Sequence, residues 1–176
     1  MTSKSILFHL RFKDWRRLIA SIVAMSGLFA APKAGALTAT TTMNVTATVL
    51  SSCSVSATDL AFGNYNPISG AALNGATSIS VTCTNGTSYN VGISAGGGAG
   101  ATVASRKMTN GANTLNYTLY RDAGRTNVWG DTVATDTLPG TGSGAAQPID
   151  VYGRIPGGQA APSGGYTDTV TITVTY

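Results

Sequence analysis

The chain contains no glutamate, and its one histidine, His9, sits among the first ten residues. A Ser or Thr nucleophile needs an activating base, and the commonest one is missing from everything that follows. Only 10% of the residues are charged, and there are just two cysteines, Cys53 and Cys83. Helix formers such as Glu, Gln and Lys are scarce or absent, while Thr, Ser, Gly, Ala and Val abound, a balance that favours strands and turns. No D-x-D-x-D-G spacing offers a calcium loop. Gly96-Gly97-Gly98 lacks the Gly-Lys-Ser/Thr of a phosphate-binding loop and reads as a flexible connection. Asp122, Asp131, Asp136, Asp150 and Asp168 are scattered through turns and strand ends. They read as turn chemistry rather than as the paired carboxylates of a hydrolase. No catalytic residue, cofactor or metal site is therefore predicted.

What is present begins with a targeting segment. Lys4, Arg11, Lys13, Arg16 and Arg17 precede an apolar run from Leu18 to Ala31, and Ala34-Gly35-Ala36 supplies an A-x-A exit. This is the layout of a secretory signal over residues 1–36, with cleavage expected between Ala36 and Leu37. The run is short for a membrane-spanning helix, the alternative. The residues around Arg16-Arg17 fit a twin-arginine signal poorly. The whole chain carries eleven basic and seven acidic residues, for a net charge of +4. Six of the basic residues and one acid lie in residues 1–36, so five basic and six acidic residues remain beyond it, a net of −1. The mature chain has no basic patch for nucleic acid and no polybasic membrane signal.

About 140 residues remain, enough for one domain with a modest core. In an exported chain Cys53 and Cys83 are expected to form one disulfide, two buried thiols being the alternative. Its loop of about 31 residues is worth roughly 3–4 kcal/mol on the chain-entropy account. Turn signals at short intervals predict an all-β sandwich of about seven strands and no helix. Strands are expected at Cys53–Ser56, in the stretch Leu60–Pro67, at Ser78–Thr84 with a hairpin partner through Tyr89, Val91 and Ile93, around Leu115–Leu119, at Val128-Trp129 and over Ile149–Ile155. Residues 95–101 and 137–146 read as loops. Trp129 and the tyrosines read as core fillers, with a sugar-binding surface as the alternative.

Two segments alternate most clearly. From Tyr166 to Tyr176 the chain reads as one strand, with Val170, Ile172, Val174 and Tyr176 on one face and threonines on the other. Near the mature start, Thr41, Met43, Val45, Ala47 and Val49 alternate with Thr40, Thr42, Asn44, Thr46 and Thr48. An apolar strand edge at a chain terminus needs a cover.

Four ordered motifs then carry a resemblance over nearly the whole mature chain. They are Leu115-Asn116-Tyr117-Thr118-Leu119-Tyr120-Arg121-Asp122, Arg125-Thr126-Asn127-Val128-Trp129-Gly130-Asp131, Val151-Tyr152-Gly153-Arg154-Ile155-Pro156, and the run from Gly165-Tyr166-Thr167-Asp168 to Tyr176. Phe62-Gly63-Asn64-Tyr65 and the Cys53/Cys83 pair fit as well. Together they resemble the spore coat protein U domain family, which includes the subunits of archaic, Csu-type chaperone–usher pili and secreted coat proteins. The resemblance implies an incomplete immunoglobulin-like β-sandwich, one strand short and completed by donor-strand exchange. A periplasmic chaperone fills the gap first, and the next subunit's N-terminal extension replaces it, a form of β-augmentation.

On that reading residues 37–48 are a donor extension and residues 49–176 the pilin domain. The donor projects Thr41, Met43, Val45 and Ala47 into a neighbour's groove, lined on one side by Val170, Ile172, Val174 and Tyr176. At about 25 cal/mol per Å² the burial is worth several kcal/mol, most of it from Met43 and Val45 because Thr41 and Ala47 are small. The alternative is a self-complete monomer in which residues 38–48 pair within their own sheet. The implied partners are identical or related subunits, the chaperone and an outer-membrane usher, with the Tyr176 carboxylate as a chaperone anchor. The implied place is the cell surface, in adhesion and biofilm. A secreted coat or matrix protein of the same fold and a carbohydrate-binding module that uses Trp129 or Tyr120 are the rival readings.

Overall fold

The computed structural model describes residues 33–176, so most of the expected signal segment lies outside the described residues. Thr46–Tyr176 forms one compact unit. Eight strands run through it: β1 (Cys53–Ala57), β2 (Leu73–Cys83), β3 (Ser88–Ile93), β4 (Arg106–Asn110), β5 (Asn113–Tyr120), β6 (Leu138–Thr141), β7 (Gln147–Ile155) and β8 (Ile172–Thr175). There is no helix among the described residues. The strands form two antiparallel sheets, a five-stranded one in the order β1-β2-β7-β5-β4 and a three-stranded one in the order β6-β3-β8.

The core lies between the sheets, built from the inward residues of each strand. Ile79 and Val81 of β2, Leu115 and Leu119 of β5, and Val151 and Ile155 of β7 face Val91 and Ile93 of β3. Alternation drives this arrangement: buried Val151, Gly153 and Ile155 are separated by the half-exposed Tyr152 and Arg154. Gly75 and Gly153 are ladder partners on β2 and β7. A Cβ on Gly153 would meet Phe62 Cζ at 2.6 Å and Leu60 Cδ2 at 2.7 Å. Glycine there lets the Leu60–Phe62 segment lie flat against the sheet.

Several elements depart from the pattern expected of the sequence. The Leu60–Pro67 stretch forms no strand; it is an irregular cover whose Leu60, Phe62 and Tyr65 are half-buried. Tyr65 holds it in place by donating to the Pro156 carbonyl at 3.0 Å and accepting from Gln159 N at 2.9 Å. β2 and β3 are not a hairpin. The turn at Asn85-Gly86, with Gly86 at φ +80°, passes the chain from one sheet to the other, so β3 pairs with β6 and β8 instead. Part of the expected 137–146 loop is β6, an edge strand, where Pro139 lacks an N–H without breaking a central ladder. Val128 makes only an isolated bridge to Tyr120. β4 has no apolar alternation to announce it: its one fully buried side chain is Arg106.

The tail also differs. Inward and outward positions alternate from Tyr166 to Thr175, as expected of a strand, but the ladder does not run the whole length. Thr167 bridges Thr109 of β4, in the five-stranded sheet. Ile172–Thr175 pair with β3, in the other sheet. A single ladder is impossible because the tail changes sheets between these points. Residues 33–52 form no strand, since a strand exists only with a ladder partner.

Candidate functional site

β8 is the last strand of its sheet. One edge bonds β3, and the other has no strand partner among the described residues. An uncovered edge of this kind is a template for pairing with another chain. Beside it the sandwich is open. A groove of about 420 Å³ runs between the tail and the segment that follows β1. Leu60 and Phe62 form one wall, Val170 and Ile172 the other, and core residues Ile79 and Val151 reach its floor. Met108 and Tyr166 join them. The groove is therefore continuous with the hydrophobic core.

The polar groups at the groove are tied down. The Tyr117 hydroxyl donates to Asp168 Oδ2 at 2.8 Å. Burial, and then the bond to Asp168, push the Tyr117 hydroxyl well above the ordinary tyrosine range and keep it a donor. Asp168 Oδ1 accepts from the main-chain N–H groups of Gly97 and Thr169, each at 2.8 Å.

Behind the groove lies Arg106, wholly buried. Its guanidinium donates to the carbonyls of Ser94 at 2.8 Å and of Val103, Ile93 and Trp129 at 2.7 Å each. Burial lowers its pKa, yet a guanidinium with four carbonyl acceptors keeps its proton. Trp129 is equally buried; its indole N–H donates to Val91 O at 2.8 Å and its main-chain N–H to Leu119 O at 2.9 Å. The two residues tie β4 and β5 to β3 and so hold the sheets together beside the opening. Farther off, Asp122 accepts main-chain bonds from Asn127 and Thr126 that hold its carboxyl below the usual range, an exposed turn role. Among the described residues no group of His, Cys, Asp or Glu is placed to hold a metal ion.

The residues singled out in the sequence fall as follows. Val170 and Ile172 line the groove. Val174 packs against the core farther along β8, and Tyr176, beyond the strand's end, is 60% exposed. Thr41, Met43, Val45 and Ala47 are all exposed, with Met43 and Val45 each at 82%. Ala36 and Leu37 are exposed as well. Cys53 and Cys83 are bonded to each other and are direct ladder partners on β1 and β2. Trp129 has no exposed face with which to stack on a sugar. Sequence reasoning missed Met108, Arg106 and Asp168 as parts of this region. For Asp168 a signal existed: in period two it falls on the same face as Tyr166, Val170 and Ile172, the one charge on an apolar stripe. For Arg106 no pattern marks burial.

These features define a class: an all-β sandwich with an apolar groove beside the segment that leads into its terminal strand, and a free edge on that strand. The model of the Spore Coat Protein U domain matches residues 39–173, and the chain belongs to that family. It is 39% identical over 173 residues to Protein U of Myxococcus xanthus, covering 90% of this chain and 96% of that protein. Its architecture is similar to that in the crystal structure of the CsuC–CsuE chaperone–tip adhesion subunit pre-assembly complex from archaic chaperone–usher Csu pili of Acinetobacter baumannii. The TM-score is 0.54 at 24% identity, over 73% of this chain and 40% of that one. This likeness is one of fold.

Proposed function

We propose that this chain is a structural subunit of an extracellular chaperone–usher pilus that polymerises by donor-strand complementation. One observation carries the reading: the sandwich is open beside the tail from Tyr166 to Ile172, where β8 begins with an unpaired outer edge, and the core reaches that groove, in a chain whose leading segment alternates exposed apolar and polar residues. An open edge with exposed core surface is a liability unless a strand fills it. Residues 1–36 act as the export signal, cleaved before Leu37. Residues 37–48 act as the donor, inserting Thr41, Met43, Val45 and Ala47 beside Val170, Ile172, Val174 and Tyr176 of the next subunit. A periplasmic chaperone occupies the groove before assembly, and an outer-membrane usher exports the fibre to the cell surface, where it serves adhesion and biofilm formation. The fold likeness to a chaperone–subunit complex supports this reading. No catalytic role is part of it.

The test is deletion of residues 37–47. The shortened subunit still folds with its chaperone but forms no polymers that survive unheated denaturing gels. Normal polymers from the deletion overturn the donor assignment.

A second reading, a secreted coat protein of the same fold, is favoured by the 39% identity to Protein U. Electron microscopy of cells with and without the gene separates the two: fibres lost with the gene support the pilus, and an altered coat without fibres supports the second reading.

A further inference from the structure

The glycine run at residues 96–98 is the place where the tail is fastened. Gly97 N–H donates to Asp168, whose other oxygen accepts from Tyr117. Gly96 holds φ at +86°, and a Cβ there would overlap the Asp168 carboxyl. A Cβ on Gly98 would meet the Cβ and carbonyl oxygen of Lys107, on β4, at 2.6 Å. At Gly96 and Gly98, therefore, only glycine lets the loop lie this close to both the tail and β4. The run that reads in the sequence as a flexible connection is a seat for a carboxylate.

Asp168 sits where the tail changes sheets. Thr167, just before it, exchanges main-chain bonds with Thr109 of β4 at 2.8 and 3.1 Å. Thr171, three residues after it, accepts from Ser94 N at 2.9 Å and donates to Ser94 Oγ at 2.9 Å, beside the end of β3. Between these two attachments Thr169 and Val170, which line the groove, hang on the Asp168 carboxylate.

We propose that Asp168 is a positioning residue of the strand-accepting groove. Seated on Gly96–Gly97 and bonded to Tyr117, it fixes the crossing of the tail, so that Val170, Ile172 and the free edge of β8 are aligned before a strand arrives. The inference rests on the groove reading above and adds to it the device that keeps the groove formed while empty. The physical basis is preorganisation. An edge that frays must be ordered by the incoming strand, and that entropy is subtracted from binding. A residue that stabilises the empty and the filled domain equally leaves affinity unchanged, which separates positioning from ordinary stabilisation.

The test uses the mature chain, residues 37–176, refolded from denaturant at low nanomolar concentration, where it cannot polymerise, over a range of a synthetic peptide of residues 37–50. Asp168→Ala weakens peptide uptake by about tenfold, and Tyr117→Phe, which keeps the carboxylate on Gly97, by about threefold. Asp168→Asn keeps an acceptor for Gly97 and a polar partner for Tyr117, and restores affinity to within about twofold of the wild type. Wild-type affinity in Asp168→Ala, with only its melting temperature lowered, overturns the positioning role and leaves the groove standing. If that variant does not refold, Tyr117→Phe decides, and an unchanged affinity there overturns the proposal equally. A wild-type chain that takes up no peptide sinks the groove reading itself, and the positioning role with it.

Discussion

The guanidinium of Arg106 donates to the carbonyl of Trp129 across 2.7 Å, and both side chains are shut away from solvent. This bond joins an arginine of the five-stranded sheet to the residue whose indole reaches the middle of β3. A buried cation is tolerated here because four of its five N–H groups meet carbonyls. The pair spans the two sheets close to the open groove, where the sandwich has no ladder to hold it shut.

Arg106→Met is accordingly a severe change. It strands the carbonyls of Ile93, Ser94, Val103 and Trp129, at about 1–3 kcal/mol for each group left unsatisfied. The expected outcome in thermal unfolding followed by circular dichroism is a loss of at least about 3 kcal/mol. Arg106→Lys does not rescue it, because an ammonium has three donors and no planar fork.

Trp129→Phe keeps an aromatic ring in the core, leaves a void where the second ring lay, and removes one bond, from the indole N–H to Val91 O. A loss of at least about 1–2 kcal/mol is expected in denaturant titration, since the carbonyl is left buried and the void adds to the cost. A loss below about 0.5 kcal/mol contradicts the bridging role given to the indole.

Reduction of Cys53–Cys83 opens a covalent link between residues 30 apart in sequence. The expected cost is about 3–4 kcal/mol, read as a lower unfolding midpoint in reducing buffer. The double variant Cys53→Ala/Cys83→Ala gives the same midpoint with and without reductant.

Stability at high pH reports on Tyr117. Its folded-state pKa lies above the ordinary value of 10.0, so the neutral hydroxyl is favoured in the folded chain. Below pH 10 both states hold the proton and the contribution is complete. Above it the unfolded chain binds fewer protons, and stability falls as pH rises toward the folded pKa. Melting temperatures measured from pH 8 upward should decline beyond about pH 10, and the decline should be shallower in Tyr117→Phe.

Val45→Asp tests the donor segment. A carboxylate carried into an apolar groove without a partner is costly, so fibres should be absent or dissociate at much lower temperature. The variant's own fold should be unchanged, because Val45 is exposed in the free chain. Assembly like the wild type's counts against the donor assignment.

Much of this architecture was legible because it rests on alternation. β2, β5, β7 and the tail all show period two, and their inward residues make up most of the core. The disulfide followed from the expected export signal and an even cysteine count. What alternation does not carry is the sheet to which a strand belongs. Tyr89, Val91 and Ile93 look like a hairpin partner for β2, yet the turn at Gly86 sends them across the core. β4 was hidden for a different reason: its inward anchor is a cation, and three of the four carbonyls that stabilise it are twelve or more residues away in sequence. β6 was hidden by Pro139 and Gly140, tolerable only because that strand is an edge. Of the groove, the Val170/Ile172 wall could be read from the tail, whereas the Leu60/Phe62 wall depends on glycines 75 and 153 clearing space for it.

The disulfide sits where the leading segment enters the sandwich, and this has a mechanical consequence. A pull on residues 37–52 reaches the folded body at Cys53 and passes at once through sulfur to Cys83, its ladder partner. The tension therefore skips β1, a five-residue edge strand that would otherwise unzip bond by bond, and lands on β2, an eleven-residue strand flanked on both sides. Force on the chain's leading end thus enters the domain at Cys83, the end of its longest strand, and the outermost strand is shielded from it.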